Sequence, residues 1–106
     1  MKKPLNNITI GVFSLVLILF TSCKKTPTPC FSVDKGNAAK VNEEVQFDAS
    51  CSKNAATYTW NFGDGTSASG NPVKHKYSNQ GVYNVVLTEK NGKKTALLTQ
   101  NVTINP

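Results

Sequence analysis

The stretch Tyr58-Thr59-Trp60-Asn61-Phe62-Gly63-Asp64-Gly65 constrains this chain more than any other. Successive side chains of a strand point to opposite faces, so Tyr58, Trp60 and Phe62 share one face and Thr59 and Asn61 the other. An aromatic face beside a short polar one describes a strand with one side in a core and the other in water. The strand then stops, because glycines on both sides of Asp64 allow positive φ without a Cβ penalty and Asp64 can bond its own turn backbone. A sharp reversal is expected directly after Phe62.

The flanking sequence repeats the alternating pattern in short pieces. Phe31 to Val33 opens the series, and Asp34 to Asn42 reads as a polar loop turning at Gly36 and Asn37. Val45 and Phe47 alternate with Gln46 and Asp48, and Ser50 to Ala56 connects into the aromatic strand. Thr66 to Asn71 reads as an exposed Ser/Gly-rich connection, and Pro72 restricts the next residues to a strand start or an edge. Val73, His75 and Tyr77 alternate again, as do Tyr83, Val85 and Leu87 after the Ser78-Asn79-Gln80-Gly81 turn. Asn91-Gly92 signals a hairpin into a long last strand, Lys94 to Ile104. Leu97 and Leu98 are adjacent, which predicts a bulge or bend there. Short alternating strands with frequent turns predict an all-β sandwich of about seven strands.

With these residues in view the chain resembles a known family. Tyr58-x-Trp60-x-Phe62-Gly63-Asp64-Gly65, then His75-x-Tyr77 and Gly81-x-Tyr83-x-Val85-x-Leu87, closely resemble the PKD domain, an immunoglobulin-like β-sandwich. The likeness extends upstream to Val45-Gln46-Phe47-Asp48-Ala49-Ser50 and assigns residues 30–106 to the domain. Asn61 stands where the family usually has an acid, which weakens any acid-lined ion site there. The resemblance implies binding or adhesion rather than catalysis.

The front end has the layout of a secretory signal over residues 1–22: Lys2 and Lys3, then an uncharged apolar run from Ile8 to Phe20, then Thr21-Ser22. A helix of that run reaches only about 20 Å, against a hydrocarbon core of roughly 30 Å. Leu19-Phe20-Thr21-Ser22-Cys23 resembles the lipobox of bacterial lipoproteins, in which the cysteine becomes the lipidated first residue. The resemblance implies a diacylglycerol on Cys23, an acyl chain such as palmitate on its amine, and a chain anchored to a membrane rather than spanning it. Residues 23–29, with Thr26-Pro27-Thr28-Pro29, then read as the lipidated cysteine and a short extended spacer. By analogy with such lipoproteins the address is the bacterial cell envelope, at the outer membrane.

An odd number of cysteines leaves one unpaired in an exported chain. With Cys23 lipidated, Cys30 and Cys51 remain, at the start of the first strand and the end of the second. Antiparallel pairing of those strands brings them side by side for a disulfide, with two free buried thiols as the alternative.

Charge and chemistry exclude several functions. Residues 23–106 carry ten lysines against six acids and no arginine, and the lysines are scattered along the sequence, so nucleic acid is not expected as a partner. His75 is the lone histidine, without a patterned nucleophile or acid, and is expected to satisfy local backbone groups. Asp64 is explained as a turn residue. Asp48, Asn61 and Asp64 are the oxygen ligands that calcium could use, but no spaced acidic loop accompanies them and no metal site is assigned. No catalytic residue is assigned either. Alternation sends all seven mature aromatics inward, leaving none for stacking sugars. The outward set Thr57, Thr59, Asn61, Asn84 and Val86 is a mild polar face suited to protein contact. These features point to a non-enzymatic module that binds envelope proteins, with polysaccharide binding or a structural spacer as alternatives.

Overall fold

The structure is a computed structural model that describes residues 24–106; the leader and Cys23 lie outside the described residues. Eight strands succeed one another: β1 (Ser32–Val33), β2 (Ala39–Lys40), β3 (Glu44–Asp48), β4 (Thr57–Asn61), β5 (Ser67–Ser69), β6 (Val73–Lys76), β7 (Gly81–Asn91) and β8 (Lys94–Asn105). They form two sheets, β1-β3-β6 and β2-β8-β7-β4-β5, so the fold is the all-β sandwich that the alternation predicts. Two strands are additional to the expected set. β2 lies within the expected loop and pairs in parallel with the end of β8, Ala39 opposite Ile104. β5 lies within the expected Ser/Gly-rich connection and pairs with β4, Ala68 opposite Trp60. Neither is long enough to show a period, which is why its pairing is invisible in sequence.

The long hairpin β7–β8 is the backbone of the larger sheet. Its register is continuous from Gly81 opposite Ile104 to Asn91 opposite Lys94, so β8 carries no bulge. The adjacent leucines take opposite faces instead: Leu97 points to solvent and is 62% exposed, while Leu98 packs against the core. The turn is Gly92-Lys93 rather than Asn91-Gly92, and among its two central residues only Gly92 has positive φ (64°), the sign pattern of a type II′ turn.

The core follows the aromatic positions. Phe31, Phe47, Trp60, Phe62 and Tyr77 are buried, with Val45, Val85, Leu87, Val102 and Ile104 around them, and Tyr58 and Tyr83 lie against that cluster. Polar tips of buried rings find backbone acceptors, as they must in a low-dielectric interior. Trp60 Nε1 donates to Gly70 O at 2.8 Å, and Tyr77 Oη donates to Phe62 O at 2.9 Å. Tyr83 Oη donates to Asn79 O four residues upstream at 2.7 Å, the tyrosine corner of immunoglobulin-like sandwiches.

β1 pairs antiparallel with β3, and Cys30 and Cys51 are bridged with their Cα atoms 5.4 Å apart. Closing that loop stabilises the fold by roughly 3 kcal/mol through the unfolded chain. The extended segment Thr26-Pro27-Thr28-Pro29 upstream of the bridge lies against the sandwich. Thr28 and Lys53 exchange backbone hydrogen bonds of 2.9 and 3.1 Å, Pro27 is buried, and Asn91 Nδ2 donates to Lys25 O at 3.0 Å. Extended, proline-stiffened backbone presents free N–H and C=O groups and loses little entropy on docking, so it settles against the sandwich.

The reversal after Phe62 is as expected, with Phe62 N donating to Thr66 O at 3.1 Å. Its two glycines serve different ends. Gly65 needs only its positive φ of 92°, since a Cβ there would meet nothing. Gly63 has φ 83°, and a Cβ there would stand 2.6 Å from Asn84 O and 3.0 Å from Asn84 N. Backbone atoms of a paired strand cannot give way as a flexible side chain does. Gly65→Ala is therefore expected to cost about 1–2 kcal/mol, the left-handed penalty alone, and Gly63→Ala roughly 3 kcal/mol or more. Urea denaturation of the two variants side by side checks the order.

Candidate functional site

The residues singled out in the sequence fall in the β4–β5 turn and on the outward face of the five-stranded sheet. In the turn, Asn61 Oδ1 accepts from Gly63 N at 3.0 Å, and Asp64 Oδ1 accepts from Thr66 N at 3.1 Å and from the Thr66 hydroxyl. That leaves Asp64 Oδ2, which lies 2.7 Å from His75 Nε2. His75 comes from the inward side of β6 and stacks flat on Phe62, with centroids 4.1 Å apart and planes at 5°. It meets Tyr77 edge-on at 4.7 Å. The histidine therefore does not satisfy backbone groups, and Asp64 is more than a turn residue. One oxygen holds the turn and the other reaches across to β6, joining the edges of the two sheets. The residues are eleven apart in separate elements, so no local pattern could have paired them.

Partial burial works against the charged form of Asp64, but hydrogen bonds from Thr66 and His75 outweigh it and hold the carboxyl below its ordinary range. Burial, with the charges of Asp64 and Tyr83 nearby, pushes the Tyr77 phenol well above its ordinary value. Asp48 is likewise lowered, by the side-chain and then the backbone hydrogen bond from Ser50.

Threonine, histidine and aspartate in contact invite comparison with a nucleophile relay, but the geometry is wrong for one. A relay places the acid on one ring nitrogen and the nucleophile on the other. Here Thr66 Oγ1, at 3.3 Å, and Asp64 Oδ2 both face Nε2, and the Thr66 hydroxyl is already bonded to Asp64. The cluster has the form of a structural clasp. Nor does the fold assemble the oxygens considered for calcium. Asp48 ends β3 beside the disulfide, whereas Asn61 and Asp64 belong to the turn at the other end, each already engaged. Among the described residues no three histidines, cysteines or carboxylates are grouped to hold a metal ion.

The outward face is assembled by β4, β7 and β8. Thr57, Thr59 and Asn61 stand opposite Lys90, Thr88 and Val86, and Asn84 lies next along β7. β8 widens the face with Thr95, Leu97, Thr99, Asn101 and Thr103, a contribution that sequence reasoning misses because it takes Leu97 and Leu98 for a bulge. The exposed apolar residues Val82 and Leu97 sit far apart on it, opposite Thr103 and Thr88, so the face is a threonine and asparagine surface without an apolar patch.

On the inner side of β7 one group stands out. Glu89 is fully buried between Tyr58 on β4 and Ala96 on β8, and neither carboxyl oxygen has a hydrogen-bond partner.

The family model of the PKD domain matches residues 26–105, and the chain belongs to that family of small, non-catalytic, binding-type modules. The chain is 36% identical over 77 residues to collagenase ColA of Bacillus cereus, a match covering 69% of this chain and 8% of the collagenase. Among solved structures it is similar to one described as a structural basis for the promiscuous specificity of carbohydrate-binding modules of the β-sandwich superfamily. That likeness has a TM-score of 0.73 and 26% identity, and covers 78% of this chain and 36% of the other. It shares its fold with the PKD1 domain of Vibrio anguillarum Epp, with a TM-score of 0.66, 22% identity and coverage of 78% and 98%. The chain thus spans a small part of the first two proteins and nearly the whole of the third.

The clasp predicts a direction of pH dependence. A carboxyl whose folded pKa lies below its unfolded value stabilises the fold fully above the unfolded value, near pH 4, and that stabilisation is lost as pH falls through the folded one. Asp64→Asn should therefore be less stable than the wild type at pH 7 and lose less stability between pH 5 and pH 2.5. Urea midpoints at a series of pH values measure both.

Proposed function

We propose that this chain is a lipid-anchored lipoprotein of the bacterial envelope whose PKD domain is a non-catalytic interaction module, taking protein partners on the face of Thr57, Thr59, Asn61, Asn84 and Val86. The observation that carries this reading is the division of the sandwich. Every aromatic from Phe31 to Tyr83 packs in or against the core, while the open sheet face presents short hydroxyls, amides and β-branched carbons. Such a face offers hydrogen bonds and shape but no stacking platform, which favours protein over sugar. Catalysis requires convergent groups in a concave pocket, and the one His–Asp pair is closed on itself.

Glycan binding is the second reading, favoured by the structural likeness to the carbohydrate-binding modules. Crosslinking in intact cells separates the readings. The wild type should capture defined envelope proteins, and Thr59→Lys with Val86→Lys should weaken that capture at least about tenfold, as loss of a central contact does. Indifference to both substitutions identifies a structural spacer, and tight binding on a glycan array with no protein captured puts sugars first.

The anchor rests on Cys23 and the apolar run before it. Mass spectrometry of the native protein is expected to find an acylated N-terminal fragment beginning at Cys23. An intact Met1 terminus in the envelope fraction removes the lipoprotein reading.

A further inference from the structure

The lysines that are scattered along the sequence are gathered by the fold. Lys24 lies against Gly92, so closely that a methyl on Gly92 would stand 2.7 Å from Lys24 Cδ. Lys25 is tied to Asn91 through its carbonyl, and Lys53 pairs with Thr28. Lys90 O accepts from Ala56 N at 2.8 Å, and Lys93 and Lys94 form and follow the β7–β8 turn. Six of the ten mature lysines therefore occupy the end of the sandwich where the described chain begins. All six are exposed, and none is in an ion pair among the described residues. Two acids lie toward this end. Asp48 accepts a hydrogen bond from the uncharged Ser50 and Glu89 is buried; counting both as negative, six lysines still leave this end four charges in excess.

Lysines elsewhere are balanced. Lys35 pairs with Glu43 at 3.7 Å and Lys74 with Glu44 at 3.9 Å, while Lys76 stands opposite Glu44 in the β3–β6 pairing and the Lys40 amide donates to Glu43 at 3.0 Å. Acid and base alternate there, so their fields cancel within a Debye length. At the basic end six lysines face only Asp48 and the buried Glu89, and none of the six is in an ion pair among the described residues. Its charges come from three separate segments, the N-terminal segment, the β3–β4 connection and the β7–β8 hairpin, held together by the contacts above.

We propose that this basic end is a docking surface for anionic phospholipid headgroups, which sets the sandwich upright on the membrane with its β7–β8 turn and N-terminal segment against the leaflet. Lysine suits a headgroup layer, where point charges are attracted by a diffuse negative potential and forked contacts are not needed. The location of the cluster agrees with the lipid-anchor reading, which puts a diacylglycerol one residue before Lys24, and the proposal deepens that reading. Each lysine near such a surface strengthens binding about fivefold, so six acting together suffice for salt-dependent adsorption without any lipid on the protein. The open face of β4, β7 and β8 then stands along the membrane normal, free for a partner.

The test uses residues 24–106, which contain both sheets, the disulfide and the whole core, and whose fold is that of a separately crystallised PKD domain. It is floated with vesicles of phosphatidylcholine alone and with phosphatidylglycerol added. Binding is expected only to the anionic vesicles and should fall steeply between 50 and 300 mM salt. Lys90→Glu with Lys93→Glu and Lys94→Glu should weaken it at least a hundredfold, and Lys35→Glu with Lys40→Glu and Lys76→Glu at the balanced end less than fivefold. Equal losses from the two triple variants, or equal binding to both kinds of vesicle, overturn the proposal. Binding to single-stranded or duplex DNA tighter than to anionic vesicles at the same salt assigns the cluster to nucleic acid instead. If the vesicles are ignored while the native protein carries an acylated Cys23, the anchor stands and the docking surface falls.

Discussion

The sandwich depends on one unbroken run of ring contacts. Phe31 meets Trp60 edge-on at 5.1 Å, Phe47 lies 5.7 Å from Trp60 and 5.2 Å from Phe62, and Phe62 stacks on His75 at 4.1 Å. His75 then leads to Tyr77 at 4.7 Å and Tyr77 to Tyr83 at 4.3 Å. Rings contribute more buried area than any other side chains, and these seven come from both sheets and both ends. A small domain has little other apolar volume with which to offset chain entropy. The rings are therefore committed to cohesion, and the exterior is left to hydroxyls, amides and lysines. The module's recognition chemistry is limited to the residue types that its interior has not already used.

The same commitment explains the histidine. His75 occupies a ring position in that run, between Phe62 and Tyr77, and its edge needs a polar partner that the core cannot offer. Asp64 supplies it from the turn. Turn, pair and stack are mutually dependent, because the glycines that permit the reversal also bring Asp64 within reach of Nε2. Likeness to a module within a collagenase does not transfer proteolysis to this chain, whose own polar groups are bonded to one another.

Much of this is legible in the residues. Period-two alternation marks the inward aromatics, the Gly-Asp-Gly turn marks the reversal, and antiparallel pairing of the first strands brings Cys30 to Cys51. The features that escape are non-local. β2 is two residues long and owes its existence to a parallel partner sixty-five positions away, Ala39 with Ile104. Docking of Thr28 on Lys53, the Asp64–His75 pair and the gathering of Lys24, Lys53 and Lys93 share that character, since each joins residues whose local sequence has no reason to anticipate the other. Leu97 and Leu98 mislead for the opposite reason. Adjacency suggests a break in period, where one of the two side chains simply faces water.

Glu89 has a dynamic consequence. A carboxyl group with neither oxygen partnered is better solvated in any opened form than in the closed one, so its burial lowers the free energy separating the native state from local opening around β7. Tyr58 and Ala96 flank it, and beyond lie Asn91 and the docked segment at Lys25, held by few hydrogen bonds. The opposite end has the His75 clasp, the tyrosine corner and the interlocked Gly63 backbone. Opening around β7 brings Glu89 to water while the disulfide still holds Cys30 beside Cys51.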